Sequence, residues 1–247
     1  MRRYAVRTRA DSPELRKAAM AIEQSAWSAL GFLNFTRAHF AYYQQLLEQH
    51  ADCQLCLVDE ETGYPVAVGN CVPLACDFNE LPPEGWDWIV ETAANDRGRP
   101  ANALGALAIS VPGIHRGKGL ARHMIEEFRK LAERKGLDGV IAPVRPSEKH
   151  RHPFLPMDQY MMWTDELGRI YDPWLRSHAA AGGRMIKPAE RSMIVEEPIG
   201  FWEMWSGRSF TQTGEYAVEG ALAPVSIERE RDIGRYVEPN VWFAYAA

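Results

Sequence analysis

A hydrophobic run that ends in a glycine-rich turn and opens directly into an amphipathic helix is the feature that most limits how this chain can fold. Residues 103–111 have the character of a strand, and the turn at 116–119 follows them closely. Beyond the turn, apolar residues recur at helical spacing, at Leu120, Met124, Phe128 and Leu131. The pattern therefore predicts a strand, a tight turn and a helix that packs one face against a core.

The turn itself is suited to bind a phosphate group. Gly117 and Gly119 carry no Cβ, so the backbone can approach a ligand closely at both positions. The first N–H groups of the following helix have no partner within the helix, and the helix dipole favours an anion at that end. Arg116 and Lys118 add positive charge. These features predict a phosphate-binding cradle, with a turn that merely joins strand to helix as the alternative.

Two common phosphate-binding motifs do not fit this spacing. In a P-loop, Pro112 would stand at the first glycine and Gly119 would replace the hydroxyl residue that binds magnesium. In a dinucleotide-binding fingerprint, Arg122 would replace the third glycine. Asp138, the acidic residue about 20 positions further on, comes before the next predicted strand and not after it.

Residues 116–121, Arg-Gly-Lys-Gly-Leu-Ala, resemble the Arg/Gln-x-x-Gly-x-Gly/Ala pyrophosphate loop of the GNAT superfamily of acyltransferases. Val111 precedes Arg116 by five residues, as the last strand valine does in that family. The resemblance implies acetyl-CoA, or coenzyme A, as cosubstrate, with its pyrophosphate on main-chain amides and its pantetheine arm along the strand. The implied cofactor-binding residues are Ile109, Val111, Arg116, Gly117, Lys118, Gly119, Leu120, Ala121 and Arg122.

The order of the predicted elements also resembles the GNAT fold. From Tyr4 to Val144 the patterns predict strand–helix–helix–strand–strand–strand–helix–strand, with an excursion over 77–102 that holds one short helix. The resemblance implies an α/β fold in which helices flank a central mixed sheet. The second predicted helix, about 36–50, places Phe40, Tyr43 and Leu47 on one face.

The chain after Val144 is predicted in three parts. A long segment rich in proline and aromatic residues is expected to form a lid or a wall of the acceptor site, and a helix then begins at Asp172–Pro173. Two strands are expected to follow, around 184–186 and 192–196. These would complete a GNAT-like domain over residues 1–198. Residues 199–247 are predicted to be a C-terminal extension packed on the same domain, because they are too apolar for a tail.

Composition limits the partners. The formal net charge is −5 and there is no broad basic run, which argues against a nucleic-acid partner. No apolar stretch approaches the ~20 residues needed to cross a bilayer, and the first residues do not resemble a signal peptide. A cytoplasmic protein without membrane contact is expected, and a homodimer is left open.

The cysteines and paired histidines give weak metal signals. Cys53 and Cys56 have a zinc-like spacing, but a strand would point them to opposite faces. Buried structural thiols are therefore expected and no metal is predicted. His150 and His152 lie in a proline-rich loop with no acidic ligand at helical spacing.

The resemblance to GNAT enzymes also implies a chemistry, direct attack of an amine on the thioester. A main-chain N–H on the fourth strand, around Ile109–Val111, would stabilise the oxyanion. In the family a tyrosine in the pattern Tyr-x-x-x-Gly often protonates the leaving thiolate, and aligning Gly182 with that glycine puts His178 at the tyrosine position. Because the ordinary pKa of histidine is about 6.5, His178 is a candidate general acid. An ordinary half-exposed helix histidine is the alternative.

The base and the acceptor are less constrained. The strand at 103–111 offers no carboxylate, so Asp87, Glu91, Asp158, Asp165 and a water molecule all stay candidates for the base. Eight tryptophans and nine tyrosines suggest an enclosed aromatic pocket for a small amine.

The sequence therefore predicts an N-acetyltransferase that acts on a small-molecule amine. A non-catalytic acyl-CoA-binding or regulatory domain is one alternative. A transferase for a longer or carrier-bound acyl group is another.

Overall fold

A nine-stranded sheet forms the centre of the protein. A computed structural model describes residues 4–96 and 98–247. The strands of this part of the chain are β1 (Tyr4–Thr8), β2 (Leu55–Asp59), β3 (Pro65–Leu74), β4 (Ala103–Ser110), β5 (Gly139–Val144), β6 (Arg184–Pro198), β7 (Gly214–Tyr216), β8 (Val225–Glu228) and β9 (Ile233–Ala246). Its α-helices are α1 (Pro13–Trp27), α2 (Gln44–Gln49), α3 (Gly85–Asn95), α4 (Leu120–Arg134), α5 (Met157–Tyr160), α6 (Pro173–Ala180) and α7 (Ile199–Ser206).

The sheet is mixed, which confirms the predicted fold class. Its order is β1-β2-β3-β4-β5-β9-β8-β7, and β6 pairs with β9. The β4–β5 pair is parallel and the other pairs are antiparallel. Helices cover both faces: Val140 and Ala142 of β5 pack in one buried cluster with α4, whereas Ile141 between them packs in the other cluster with α3.

The parallel strands β4 and β5 separate after a short stretch of pairing. The register joins Ala103–Gly105 to Gly139–Ile141. β4 then continues to Ser110 and β5 to Val144, and residues of both strands beyond the paired stretch line one cavity. The gap between the two strands therefore supplies the floor of the candidate site.

The C-terminal segment is part of the central sheet. Residues 241–246 of β9 pair with β5, and the same strand pairs with β6 along its other edge. The expectation that the core is complete near residue 198 is therefore wrong, because the neighbour of β5 comes from the last residues of the chain. The two strands expected around 184–186 and 192–196 are one irregular strand, β6, with register shifts near Met185 and Ala189.

A π-helical turn, His39–Tyr43, leads into α2 and rotates the predicted helix face. Phe40 is 88% exposed, whereas Leu47 is 2% exposed. The prediction that Phe40 shares a face with Tyr43 and Leu47 is wrong, because a wider turn places residue 39, and not residue 40, on the side of Tyr43. The rings of His39 and Tyr43 stack with their centroids 4.7 Å apart.

No helix among residues 4–96 and 98–247 has both the length and the apolar character needed to span a membrane.

Candidate active site

The predicted cradle lies at the N-terminus of α4, where the main chain is open to a ligand. Gly117 and Gly119 have φ values of +74° and +76°, a region that favours glycine, and a Cβ at either would meet no atom within 4 Å. Gly119 is the N-cap, and the first helical hydrogen bond runs from the N–H of His123 to its carbonyl at 3.0 Å. No described side chain caps this end, so the N–H groups of the first turn can bind an anion.

The charged side chains of the cradle are exposed and fold against its backbone. Lys118 Nζ donates to the Ile114 carbonyl at 2.8 Å, and Arg116 Nε lies 3.5 Å from the Val111 carbonyl. Arg122 forms an ion pair with Glu126 at 3.4 Å. The structure thus brings the predicted residues 116–122 together around one helix end.

The remaining predicted cofactor residues differ in how they are placed. Leu120 is 2% exposed and packs its side chain in the core, so it can offer a ligand its main chain. Ile109 lines the cavity. Val111 follows the last residue of β4 and packs at the edge of the same buried cluster as α4.

A cavity of about 270 Å³ opens where β4 and β5 separate. Ala106–Ile109 and Ala142–Val144 form its strand side. Four aromatic residues from separate parts of the chain form its aromatic wall: Trp27, Tyr43, Trp86 and Trp174. An apolar cavity with a few polar groups is the usual form of a small-molecule site.

A β-bulge in β4 lies beside this cavity. Asn70 pairs with Ala108 and Cys71 with Ala106, so Leu107 is the extra residue. The indole Nε1 of Trp86 donates to the Leu107 carbonyl at 2.9 Å. The bulge changes which main-chain groups of β4 face β3 and which face the gap toward β5.

His178 on α6 lines the cavity and is almost fully buried. Its Nδ1 forms a hydrogen bond with the Tyr245 hydroxyl, and its Nε2 has no partner among the described residues. Burial lowers the pKa of His178 to about 3. The ring is therefore neutral near pH 7. The ordinary histidine pKa that the sequence predicts for this candidate general acid is wrong for His178. With the tyrosine hydroxyl as donor to Nδ1, the ring proton stands on Nε2.

The carboxylates considered from the sequence lie away from this cavity. Asp87 and Glu91 line a separate depression, where Asp87 Oδ2 accepts from the Ile194 N–H at 3.1 Å. Burial raises the pKa of Asp87 to about 7. Asp158 is exposed, and Asp165 accepts from Arg169 Nε at 2.9 Å.

A buried ion pair that sequence reasoning missed does line the cavity. Arg145 Nε lies 3.0 Å from Oε1 of Glu238, and Oε2 of Glu238 accepts from the Tyr236 hydroxyl at 2.8 Å. Asn240 Nδ2 donates to Oε1 at 3.3 Å. The pair is thus nearly neutral as a unit. A polar residue within the apolar run of β9 is the signal that could have indicated it.

The segment after β5 is anchored by buried polar groups. Its first residues, 145–147, line the cavity. Further along, Asp172 accepts from the Tyr160 hydroxyl at 2.9 Å and from the Glu148 N–H at 2.8 Å. Lys149 is fully buried, and its Nζ donates to the Leu222 carbonyl at 2.7 Å. The segment is therefore a fixed wall joined to the C-terminal part of the chain.

The thiols and the histidine pair are placed as follows. Cys53 and Cys56 are fully buried in different core clusters. The expected single strand through both is wrong, because Cys53 ends a 3₁₀ turn, Ala51–Cys53, before β2 begins at Leu55. His150 Nδ1 lies 2.9 Å from the Ser147 carbonyl, and His152 packs against Trp163. The described residues contain no group of three or more potential metal ligands.

Comparison with known proteins gives one close sequence relative and several structural ones. An arginine N-acetyltransferase of Aspergillus versicolor is 34% identical over a match that covers 91% of this chain and 81% of the relative. No protein-family model matches the chain.

Two solved structures resemble nearly the whole fold. The loading GNATL domain of CurA from Lyngbya majuscula has a TM-score of 0.60 at 14% identity, over 99% of this chain and 98% of that one. The GNAT-like decarboxylase GphF, solved with isobutyryl-CoA, has a TM-score of 0.56 at 18% identity, over 100% and 98% of the two chains.

The Aspergillus versicolor relative and the fold together define the class, an acyl-CoA-dependent acyltransferase. The chain belongs to the GNAT superfamily. It is an N-acetyltransferase that uses an acyl-CoA thioester as cosubstrate, as the sequence predicted.

Proposed function

We propose that this enzyme transfers the acetyl group of acetyl-CoA to the amine of a small molecule bound in the cavity beside β4 and β5. The observation that carries the proposal is the cavity of about 270 Å³, with aromatic side chains around the bulged strand. Such a cavity fits a compact acceptor better than an extended polypeptide. Because the Aspergillus versicolor relative is named for arginine, arginine is the first acceptor to test.

The cradle supports a specific placement of the cosubstrate. The main-chain N–H groups of residues 117–122 would bind the diphosphate, with Arg116 and Lys118 adding positive charge. Ile109 and Val111 would flank the pantetheine arm. The uncapped helix end and the open space over both glycines fit such an anion. When bound, the thioester supplies an activated acetyl group.

His178 would act at the sulfur as a neutral hydrogen-bond donor. Its free Nε2 supports this role, and the Tyr245 hydroxyl on Nδ1 would hold the ring in the required tautomer. The role differs from that of a charged imidazolium, because burial keeps the ring neutral near pH 7.

Turnover with a panel of acceptors tests the proposal. Purified protein with acetyl-CoA should release free thiol in the presence of arginine or another small amine, with the acetylated product identified by mass spectrometry. Acetylation of peptides alone would contradict a small acceptor. Binding of acetyl-CoA without turnover would favour a non-catalytic domain. Faster turnover of longer thioesters would show that the enzyme transfers a longer acyl group than acetyl.

A further inference from the structure

The cavity contains a histidine that the sequence analysis did not single out. His39 lines it from the π-helical turn that precedes α2. The Thr36 hydroxyl accepts the main-chain N–H of His39 at 3.1 Å, which fixes the start of that turn. The imidazole packs in a cluster with two aromatic rings that also contact each other, with centroid distances of 4.7 Å to Tyr43 and 5.9 Å to Trp86.

The neighbours of His39 are themselves held in place. The Tyr43 hydroxyl accepts from Asn70 Nδ2 at 2.8 Å. The Trp86 indole donates to the carbonyl of Leu107, the bulged residue of β4. The imidazole is therefore positioned against the strand along which the thioester is proposed to lie.

The environment keeps His39 neutral and leaves one nitrogen with a lone pair. Burial lowers its pKa, and the main chain of Asn34 partly opposes this effect. A neutral imidazole that donates through one nitrogen accepts through the other. The other titratable or charged side chains that line the cavity are Tyr43, Arg145, His178 and Glu238. Glu238 is satisfied by Arg145 and Tyr236, and His178 faces the proposed leaving group, so neither serves as the base.

We propose that His39 is the general base that takes the proton from the acceptor amine, an inference that rests on the proposed small-amine transfer. As the amine nitrogen bonds to the acetyl carbon, its proton passes to the free nitrogen of His39. The C–S bond breaks and its electron pair goes to sulfur, where the Nε2–H of His178 donates a hydrogen bond to the coenzyme A thiolate. Solvent then receives the proton from His39 and supplies the proton of the coenzyme A thiol.

The variant His39→Gln tests this role, with His50→Gln as the matched control. His50 follows α2 in the same helical segment but does not line the cavity. With acetyl-CoA and arginine, or the best small amine of the panel, kcat of H39Q should fall about 100-fold or more. In the wild type kcat should fall at low pH as His39 becomes protonated, and this fall should be absent in H39Q. Affinity for coenzyme A should stay within about twofold of the wild type in both variants, because the cradle is intact.

Three outcomes are decisive. H39Q with kcat within about threefold of the wild type and an unchanged pH profile would overturn the assignment. A loss of activity accompanied by an equal loss of coenzyme A affinity would indicate a structural role and would also overturn it. An inactive wild type would refute the proposed function itself, and the base assignment with it.

NMR of the imidazole nitrogens gives a readout that does not depend on turnover. His39 should be neutral at pH 7 with its proton on one nitrogen, and a charged ring at that pH would contradict a base.

Discussion

Burial determines the chemistry of both histidines in the cavity. At His178 it lowers the pKa to about 3, and at His39 it lowers the pKa as well, so both rings are neutral near pH 7. They differ in their partners. Nδ1 of His178 pairs with the Tyr245 hydroxyl and its Nε2 has no partner among the described residues, whereas the ring of His39 packs against Tyr43 and Trp86. The proposal accordingly gives them different roles, a hydrogen-bond donor at His178 and a proton acceptor at His39.

The buried neutral state of His178 predicts a pH dependence of stability. A histidine whose folded pKa is lowered contributes stability above its unfolded pKa of about 6.5, and that contribution is lost as the unfolded chain takes up a proton at lower pH. Between pH 6.5 and 4 the loss from His178 should approach roughly 1.4 kcal/mol per pH unit.

Denaturant unfolding of wild type and His178→Gln at several pH values measures this effect. The stability advantage of the wild type should shrink steadily below pH 6.5. A constant difference between the wild type and H178Q would show that His178 is not buried as a neutral ring.

At the scale of elements, α4 combines a packed face with an open end. Met124, Phe128 and Leu131 bury the helix against the sheet, while its N-terminus is capped by no described side chain. Stability thus comes from the middle of the helix, and its first turn is available for a ligand. Gly119 and Gly136 lie at the two ends of the helix, outside its packed middle.

The substitution Gly119→Ala should weaken coenzyme A binding, and Gly136→Ala provides a matched control. Both glycines have positive φ, +76° and +67°, and both have open space around the missing Cβ. Each alanine should therefore cost roughly 1 kcal/mol of stability through backbone strain. Calorimetric titration should show about tenfold or greater loss of affinity for G119A, because its cradle backbone shifts, and little change for G136A. Equal affinities of the two variants for coenzyme A would show that the cradle does not bind it.

The strand–turn–helix unit around Gly117 could be predicted because its signals are local. Glycine spacing and helical periodicity depend on neighbours in sequence, and the helix predicted at 119–135 lies at Leu120–Arg134. His39 was missed for the opposite reason. A π-helical turn changes which residues share a face, and periodicity assumes 3.6 residues per turn. The pKa of His178 could not be predicted from the sequence either, because its burial depends on contacts with Tyr245 and Phe243 far along the chain.

At the scale of the whole molecule, the last strand connects the parts of the site. β9 pairs with both β5 and β6, carries Glu238 and Asn240 at the cavity, and supplies Tyr245 to His178. Strand pairing across about 100 residues leaves no local pattern, so the sequence suggested a completed core followed by an extension. The family resemblance supplied the sheet and the position of the cradle, but not the origin of the strand beside β5.

A structure of the protein with acetyl-CoA bound tests the central claim most directly. The account predicts that the diphosphate lies within hydrogen-bonding distance of the main-chain N–H groups of residues 117–122, with the thioester sulfur on the side of His178 Nε2 and the acetyl group facing the cavity that contains His39. A diphosphate bound away from Gly117 and Gly119, or a thioester outside the gap between β4 and β5, would contradict it.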